Sequence, residues 1–547
     1  MREDYDIAIV GCGPVGLLAA ILLGRLGHSV GLFERQLAIY PRPRAVHYDD
    51  EIARVFQRIG IGGELAAITE PASTYEWRNA GGETLLMLDR SRPGPSGWPA
   101  ATMFTQPQLE LLLEQTAAEE PSVELHRGWE VEGLSDSGES IEIALRAVGV
   151  REDVNSGRAE GLIAAHSSAA TQSVSARYAI GCDGAASIVR GHMDTGIEDL
   201  GFAFDWLIAD TVPRDPALLA GVNLQICDPA RPTTLVSGGP GRRRWEWMLL
   251  PGETRRDVET EQFVWGLLER SGIGKRDVEL ERHTVYTFRA RWAKRWRDGR
   301  LLLAGDAAHL MPPFAGQGMC SGIRDAMTLS WHLDLVLRDL AHPDTLDSYT
   351  SERRAHLQHA IAVSVELGKV ICIADEADAG ARDEVLLGAR EAAGGAAVPE
   401  PPAPSLGPGI RDHAAGEEPA GADAAGSLFP QGRVAIDGTV GLLEDRLSPP
   451  SGFVIYAFGA EPETLLDAAE AAAIGTLGCS FVRVDPAEDI DGVYEAWFTT
   501  HACDVALVRP DFYVFGTASG AAEANALVAR LKASLKTTAT PEEMLAR

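Results

Sequence analysis

Three glycines near the start of the chain, Gly11, Gly13 and Gly16, have the G-x-G-x-x-G spacing of a phosphate-binding turn. The first allows a tight turn, the second lets a pyrophosphate approach the backbone, and the third lets a helix pack on a strand. Glu34 comes at the end of the next apolar run, where a carboxylate can bind the hydroxyls of a ribose. This pattern predicts a dinucleotide site, and it does not by itself distinguish NAD from FAD.

A second glycine-rich stretch could bind a negative charge. Gly305 and Asp306 end the apolar run that starts at Arg300, and residues 316–319 (Gly-Gln-Gly-Met) precede a predicted helix over residues 323–340. The N-terminus of a helix offers free N–H groups and a positive potential. Such a turn would suit the N1–C2=O edge of a reduced, anionic flavin.

The local sequence pattern predicts the strands and the helix around the first glycine motif. Residues 5–10 are apolar and branched, as in a buried parallel strand. Pro14 suits the first turn of a helix, which is predicted to run to Leu26 and to stop at Gly27. A second strand is predicted over residues 29–33. Strand, turn, helix, strand and acid therefore arrive in the order of a nucleotide-binding unit.

The proline-rich segment at residues 39–51 is predicted to be a stiff, extended loop beside the nucleotide site. Arg42 and Arg44 could reach phosphates or a flavin edge, and His47 and Tyr48 could meet a substrate. For each of these side chains the competing interpretation is an ordinary solvated loop residue.

A β-rich region is predicted downstream. Residues 205–289 have mostly strand patterns, and residues 244–250 alternate between two faces. The aromatic face that includes Trp247 could form the wall of a substrate pocket or simply part of a core. Residues 71–100 are predicted to leave the nucleotide domain for the same region.

The amino-acid composition limits the kinds of partner that the protein can bind. The chain has 547 residues and a formal net charge of −30, which argues against nucleic acid or an anionic membrane as a partner. No basic signal region and no run of about 18 apolar residues is found. Seven scattered cysteines without a C-x-x-C pair predict neither disulfides nor a metal site, and they fit the cytoplasm. A homodimer is the candidate assembly.

Taken together, the motifs resemble the class A flavoprotein aromatic hydroxylases, which adopt the para-hydroxybenzoate hydroxylase fold. The motifs that carry the resemblance are residues 11–16 with Glu34, residues 182–184 (Cys-Asp-Gly) with Arg190, and residues 305–306 with 312–313 and 316–319. Residues 40–46, 311–319 and 508–516 are most similar to the 3-(3-hydroxyphenyl)propionate hydroxylase group. The last of these resembles the thioredoxin-like tail of the phenol-hydroxylase branch, although it lacks a C-x-x-C pair.

The resemblance implies an α/β fold with three parts. A Rossmann-like FAD-binding domain is expected over residues 1–390, with a β-rich substrate domain inserted at about 74–97 and 201–289. A linker is expected over residues 391–437, and a thioredoxin-like domain over residues 438–547.

The resemblance also implies FAD as cofactor, NADH or NADPH as co-substrate, and O2 and a phenol as substrates. The residues expected to bind the cofactor are Gly11, Gly13, Gly16, Glu34, Arg35, Arg44, Gln106, Asp183, Gly305, Asp306, Gly316, Gln317, Gly318 and Met319. The candidates for catalysis are His47, Tyr48 and Pro312, and those for substrate binding are Trp247, Arg244 and Arg289. The two arginines are candidates to pair with a carboxylate on the substrate.

The implied reaction is hydroxylation ortho to the hydroxyl group of a phenol, with 3-(3-hydroxyphenyl)propionate or a similar phenol as substrate. A polycyclic-phenol (aromatic polyketide) hydroxylase is the main alternative. A flavin-dependent halogenase is a remote one, because that enzyme needs a lysine early in the chain and the first lysine here is Lys275. A flavin-binding protein without catalytic activity is the other remote alternative.

Overall fold

The computed structural model describes residues 1–41, 44–150, 164–165, 170–398, 404–412, 424–436, 438–446 and 452–535. Arg42, parts of the predicted linker and the last residues of the predicted C-terminal domain lie outside the described residues.

The predicted nucleotide-binding unit is present. The strand Asp4–Val10 pairs in parallel with Val30–Glu34 on one side and with Thr171–Gly181 on the other. The helix Pro14–Arg25 connects the first two strands, and Gly27 after it has a φ of +89°. The order of the strands across this sheet is Arg297–Asp298, Leu301–Leu303, Thr171–Gly181, Asp4–Val10, Val30–Glu34 and Val123–Arg127, and all are parallel except the first, which is antiparallel to its neighbour. Trp129–Asp136 and Ile141–Ala147 extend it as an antiparallel pair.

Helices cover this sheet because its strands are apolar on both faces. The helices of the body are Asp50–Arg58, Gly62–Leu65, Gln106–Ala118, Ile188–Gly191, Gly318–Leu337, Leu346–Ile371 and Glu376–Ala392. Asp49 caps the first of them, since its side chain accepts a hydrogen bond from the N–H of Ile52 at 3.2 Å. A small sheet of His47–Asp49, Ala101–Phe104 and Thr69–Pro71 lies beside that cap.

The predicted β-rich region forms an eight-stranded sheet. The order of its strands is His309–Leu310, Val278–Ala293, Ile197–Pro213, Arg243–Met248, Thr233–Ser237, Leu224–Cys227, Thr74–Asn79 and Thr84–Asp89. The short helices Arg255–Val258 and Glu261–Arg270 interrupt the strand pattern. The second of these helices covers one face of the sheet, where Trp245 and Trp247 form a core with Trp265. Because side chains alternate along a strand, the one residue between Trp245 and Trp247, Glu246, faces the other way.

The C-terminal part has its own four-stranded sheet. The order is Ser480–Val484, Val454–Phe458, Val505–Val508 and Val514–Ala518, with the first pair parallel and the other two pairs antiparallel. The helices Ala468–Thr476, Val493–Thr500 and Gly520–Ser534 accompany it. The last two of these strands form a hairpin.

This C-terminal part packs on the body through buried charges. Arg509 donates to Glu352 at 2.7 Å and to Asp511 at 2.7 Å. Arg54 pairs with Glu444 in a second buried ion pair. The described part of the predicted linker packs here too, since Leu406, Ile410 and Phe429 are buried, and it contributes the strand Arg433–Ile436.

Among the residues that the structure describes, no individual helix has both the length and the apolar composition needed to cross a membrane. The bent pair Pro343–Ile371 and Glu376–Ala392 meets that criterion jointly, by length and composition only.

Candidate active site

A cavity of about 780 Å³ runs between the two large sheets, within the size range of cofactor and ligand sites. Its glycine-loop end is lined by Gly11, Gly13 and Glu34. Its antiparallel-sheet end is lined by Ile208, Thr234 and Glu246. The predicted site residues that line the cavity are Gly11, Gly13, Glu34, Arg35, Arg44, His47, Gln106, Asp183, Arg244, Gly305, Asp306, Gly316, Gly318 and Met319. Those that do not line it are Gly16, Tyr48, Trp247, Arg289, Pro312 and Gln317.

The three glycines of the first turn have different surroundings. Gly11 has a φ of +102°, and a Cβ atom there would collide with the carbonyl oxygen of Cys182. A Cβ atom at Gly16 would collide with the carbonyl oxygen of Gly11. At Gly13, by contrast, no atom lies within 4 Å of the Cβ position. Gly11 and Gly16 are therefore required by packing, whereas Gly13 leaves open space at the cavity.

Glu34 lies beside this turn at the end of its strand. Its carboxylate accepts hydrogen bonds from the N–H groups of Cys12 at 3.0 Å and Gln36 at 2.7 Å. Arg127 pairs with Glu34 in the next parallel strand, and it also lines the cavity. Sequence reasoning missed Arg127, although a basic residue at the same carboxyl edge of a parallel sheet was the available signal.

The turn that carries Gly305 and Asp306 is held by a buried acid that sequence reasoning did not select. Asp325 accepts a hydrogen bond from the Gly305 N–H at 3.0 Å, and its carboxylate lies 2.7 Å from His309 Nε2. Arg353 donates to the other carboxylate oxygen at 3.0 Å. Burial alone would raise the pKa of Asp325, but these charged and hydrogen-bonding partners together hold it below its ordinary value.

Asp306 itself is accessible, and it faces the cavity. The surrounding protein raises the pKa of this carboxyl group by desolvation, while His309 and Arg44 oppose that effect. It is therefore available to a ligand that enters between the two sheets.

The Cys182–Gly184 turn meets the Gly305 turn. Asp183 accepts hydrogen bonds from the N–H groups of Ile188 at 2.6 Å and Val189 at 3.3 Å, and its Oδ1 has no hydrogen-bond partner among the described residues. Burial raises the pKa of this carboxyl group. Arg190 donates to the carbonyl oxygens of Ala307 at 2.5 Å and Ala185 at 2.6 Å, which fastens the two turns together.

Gln106 shapes the loop that carries Arg44. Its side-chain oxygen accepts hydrogen bonds from the N–H groups of Arg44 at 3.0 Å and Ala45 at 2.6 Å. Its amide nitrogen donates to Glu110 at 2.6 Å. The loop is thereby held against the helix Gln106–Ala118, and Arg44 is directed to the cavity wall.

The second glycine-rich turn lies at the start of the helix Gly318–Leu337. Gly316 has a φ of +66°, and a Cβ atom there would lie 2.6 Å from His47 Nδ1. Gln317 is anchored away from the cavity, since it donates to Asp49 at 3.0 Å and accepts from Arg324 at 3.0 Å. The backbone of this turn, rather than the Gln317 side chain, therefore faces the site.

His47 lines the cavity beside this turn. Its Nδ1 lies 3.4 Å from the carbonyl oxygen of Gly316, and its Nε2 has no hydrogen-bond partner among the described residues. Desolvation, supported by the nearby charge of Arg90, lowers the pKa of His47 to about 4. The imidazole is therefore neutral at neutral pH.

Tyr48, the other candidate base, points away from the cavity. It is 3% exposed and packs against Phe56 and Phe104 with ring centroids 5.4 and 5.5 Å away. The reason is strand geometry, since successive side chains of His47–Asp49 face opposite sides. Pro312 is also buried, and it precedes the turn Pro313–Ala315 without lining the cavity.

The two arginines proposed to pair with a substrate carboxylate are placed differently. Arg244 lines the cavity, but it donates to Asp210 at 2.8 and 3.1 Å and to the carbonyl oxygen of Arg44 at 2.7 Å. Its charge is therefore matched within the protein. Arg289 is exposed and does not line the cavity. The structure thus brings neither of them to the site as an unmatched cation.

Trp247 lies on the opposite face of the sheet from the cavity. Its ring stacks on that of Trp245 at 5.8 Å within the core under the helix Glu261–Arg270. The alternative interpretation of this aromatic face, as part of a core, is the one that the structure shows.

Glu246, between the two tryptophans, faces the cavity instead. It pairs in register with Ile208 on one side and Thr234 on the other, and all three line the antiparallel-sheet end. Burial raises the pKa of Glu246, and the charge of Arg244 opposes this. Sequence reasoning missed Glu246, although strict alternation within Trp-Glu-Trp was the signal that could have found it.

The cavity fits a flavin dinucleotide. The open space at Gly13, the accessible carboxylates of Glu34 and Asp306, and the helix N-terminus at Gly318 line one continuous wall. A dinucleotide needs a pyrophosphate turn, a ribose acceptor and donors for its redox-active ring, and this wall offers each of them.

Comparison with known proteins supports a flavin dinucleotide site. Residues 4–364 match the family described as "FAD binding domain", and residues 426–534 match the family described as "HcaD C-terminal domain". A relative from Rhodococcus jostii (strain RHA1), named "Probable NADH-specific resorcinol 4-hydroxylase", is 37% identical over 98% of this chain and 96% of its own. The chain belongs to the FAD-dependent aromatic hydroxylases. A second relative of this hydroxylase, the "3-(3-hydroxy-phenyl)propionate/3-hydroxycinnamic acid hydroxylase" of Klebsiella pneumoniae (strain 342), is 31% identical over 100% of this chain and 98% of its own.

Solved structures share the fold of this hydroxylase. The flavin-dependent monooxygenase PieE, in complex with FAD and substrate, matches with a TM-score of 0.76 at 20% identity, over 97% of this chain and 99% of that one. Aklavinone-11 hydroxylase, in a ternary complex with FAD and aklavinone, matches with a TM-score of 0.74 at 21% identity, over 100% of both chains. At these identities the likeness shows the fold alone.

Proposed function

We propose that this hydroxylase uses NADH and O2 to add a hydroxyl group to a small phenol, ortho to the hydroxyl already present. The observation that carries the proposal is the continuous cavity, which joins a dinucleotide turn to a second, partly polar chamber at the antiparallel-sheet end. NADH is chosen over NADPH because the Rhodococcus relative is named as NADH-specific.

The substrate proposed is a phenol with a substituent meta to its hydroxyl group. Resorcinol, in the name of the Rhodococcus relative, carries a second hydroxyl at that position. The 3-(3-hydroxyphenyl)propionate in the name of the Klebsiella relative carries its side chain there. The two names therefore agree on the position of the substituent and differ in its chemistry.

The geometry supports a position for each part of the cofactor. Gly13 and Glu34 would hold the pyrophosphate and the ribose of the ADP half, with Gly11 and Gly16 shaping the turn. Asp306 would bind the middle of the cofactor, and the 316–319 backbone its ring. Arg35, Arg44, Gln106 and Asp183 would complete this wall. FAD, when bound, supplies the redox chemistry that reduces and activates O2.

The chain's own residues would orient the phenol and exclude water. Phe288, Leu310, Met311 and Phe314 give the chamber apolar walls, which keep water from a reactive centre. We propose His47 as the base that accepts a hydrogen bond from the reacting hydroxyl, because its neutral imidazole has an Nε2 without a partner among the described residues. A hydrogen-bonded or deprotonated phenol is more electron-rich at the ortho position.

The domain division predicted from the sequence is retained as part of the proposal. The C-terminal strand order, with one parallel and two antiparallel pairs, supports a thioredoxin-like domain over residues 438–547. All seven cysteines are free thiols, which supports a reducing, cytoplasmic setting. The predicted homodimer stays a prediction, which the mass of the protein in solution tests.

A hydroxylase of polycyclic phenols is the second candidate, and the fold shared with aklavinone-11 hydroxylase favours it. The size of the cavity favours the first candidate, because about 780 Å³ has to hold both FAD and the substrate.

A panel of phenols separates the two candidates. The purified holoenzyme is mixed with NADH and with resorcinol, 3-(3-hydroxyphenyl)propionate or a polycyclic phenol, and NADH oxidation and hydroxylated product are both measured. We expect stimulated oxidation and coupled product with a monocyclic meta-substituted phenol. Product from the polycyclic phenol alone would favour the second candidate.

A further inference from the structure

The antiparallel-sheet end of the cavity contains a buried acid that the proposed reaction does not use. Glu246 is 9% exposed, and it lines the cavity between Ile208 and Thr234 of the neighbouring strands. Within the described part of the chain, its carboxyl group forms no hydrogen bond and no ion pair. A buried polar group of this kind needs a partner, and the cavity is where one can come from.

The two nearest arginines share another acid. Asp210 pairs with Arg244 at 2.8 Å and with Arg282 at 2.9 Å. Both arginines favour the charged form of Glu246, whereas burial and the charge of Asp210 oppose it. This cluster of two arginines and one aspartate carries one positive charge more than negative, so it favours an ionised Glu246 although Glu246 makes none of its ion pairs.

Two other polar side chains of the chamber lie close to Glu246. Tyr75 lies within electrostatic range of both Glu246 and Arg90, and its hydroxyl donates to Gln225 at 3.4 Å. Thr234 donates to the same Gln225 oxygen at 2.6 Å. The hydroxyl groups on either side are thus directed at Gln225, and Glu246 keeps its acceptor capacity for a ligand.

We propose that Glu246 accepts a hydrogen bond from a hydroxyl group of the substrate, meta to the hydroxyl that reacts, so that the preferred substrate is a benzene-1,3-diol. This inference rests on the proposed function and names its substrate class. A hydroxyl group can donate to a carboxylate, whereas an anionic side chain would place two like charges together in a poorly solvated chamber. A site built to bind a hydroxyl group also rejects an analogue that lacks it, because its buried acceptor is then unpaired.

The test is a binding titration on the holoenzyme, read from the flavin absorbance. Three ligands are compared: resorcinol, 3-methoxyphenol (which cannot donate at the meta position) and 3-(3-hydroxyphenyl)propionate. We expect the wild type to bind resorcinol at least roughly tenfold more tightly than 3-methoxyphenol, as for a hydrogen bond to a charged group. Glu246→Leu should remove this preference, and Glu246→Gln, which keeps the shape, should reduce it and improve the binding of the propionate relative to resorcinol.

The matched control is Glu281→Gln, which removes an exposed carboxylate from the same sheet, paired with Arg242 outside the cavity. It should leave all three affinities unchanged. A wild type that binds 3-methoxyphenol or the propionate as tightly as resorcinol would overturn the inference, and so would Glu246 variants that retain the wild-type preference. Failure of the proposed function is a separate outcome, because NADH oxidation would then respond to no phenol while FAD stayed bound.

Discussion

Gly13 differs from the two glycines around it in having nothing near its Cβ position, and this gives a test at the scale of one residue. Gly13→Val should fold, because no neighbouring atom lies within 4 Å of the added Cβ position. It should lose FAD, because the same space is where the pyrophosphate would lie. We expect affinity for FAD to fall by on the order of tenfold to a hundredfold, as for an overpacked site.

Gly266→Val is the matched control for that variant. Gly266 also has no atom within 4 Å of its Cβ position, and it lies outside the cavity in the helix Glu261–Arg270. FAD content after gel filtration and equilibrium titration with added FAD measure both variants. Unchanged FAD affinity in Gly13→Val would show that the glycine turn at residues 11–16 does not bind the cofactor.

The buried side chain of His47 predicts how the stability of the protein depends on pH. Its folded-state pKa of about 4 lies below the ordinary value of 6.5, with desolvation as the main cause and Arg90 as the second. Between these two values the unfolded chain binds a proton that the folded protein does not, so stability falls as pH falls through this window. Above about pH 6.5 the contribution is constant.

His47→Gln should remove the loss of stability at acidic pH that His47 causes. Urea unfolding at several pH values measures the difference in free energy of unfolding between wild type and variant. We expect wild type to lose stability relative to the variant as pH decreases from about 6.5 to about 4. A constant difference across this window would show that His47 titrates normally.

At the level of helices and strands, a chain of hydrogen bonds connects the C-terminal part to the Gly316 turn. Tyr513 donates to Glu51 at 3.0 Å, and Arg324 donates to the other oxygen of Glu51 at 2.7 Å. Arg324 in turn donates to Gln317, next to the Gly316 turn. The helix Gly318–Leu337 is therefore positioned in part by residues far along the chain.

Tyr513→Phe should lower the free energy of unfolding by about 1–3 kcal/mol, because it removes one donor from the buried Glu51 carboxylate. FAD should also dissociate faster, since the Arg324 contacts would loosen. Tyr456→Phe is the control: Tyr456 is 1% exposed in the same C-terminal unit, and its hydroxyl has no hydrogen bond among the described residues. Equal effects of the two variants would refute a specific role for the Tyr513 hydroxyl.

These elements also show what the sequence could and could not predict. The strand–turn–helix unit around Gly11 was predictable because its signals are local in the chain. The ion pair between Arg244 and Asp210 was not predictable, because it depends on the pairing of two strands that are distant in the chain. The same holds for Asp325, whose partners come from two separate segments, residues 305–309 and the helix that carries Arg353. It also holds for Tyr48 and Trp247, because the direction of each side chain depends on which face of its strand other elements cover.

At the scale of the whole molecule, the C-terminal unit should act through packing and not through redox chemistry. Burial raises the pKa of Cys479 to about 12 and that of Cys503 to about 11, so neither thiol is a ready nucleophile. The double variant Cys479→Ser and Cys503→Ser should retain the turnover of the wild type. A large loss of NADH oxidation with FAD still bound would contradict this.

The central claim is that the cavity brings a phenol, O2 and the flavin together in a monooxygenase. It is tested most directly by the origin of the new oxygen atom. The holoenzyme is supplied with NADH, resorcinol and ¹⁸O2 in ordinary water, and the product is analysed by mass spectrometry. The account predicts a hydroxylated product with one ¹⁸O atom from O2. An unlabelled product, or NADH oxidation that yields only peroxide with every phenol, would contradict it.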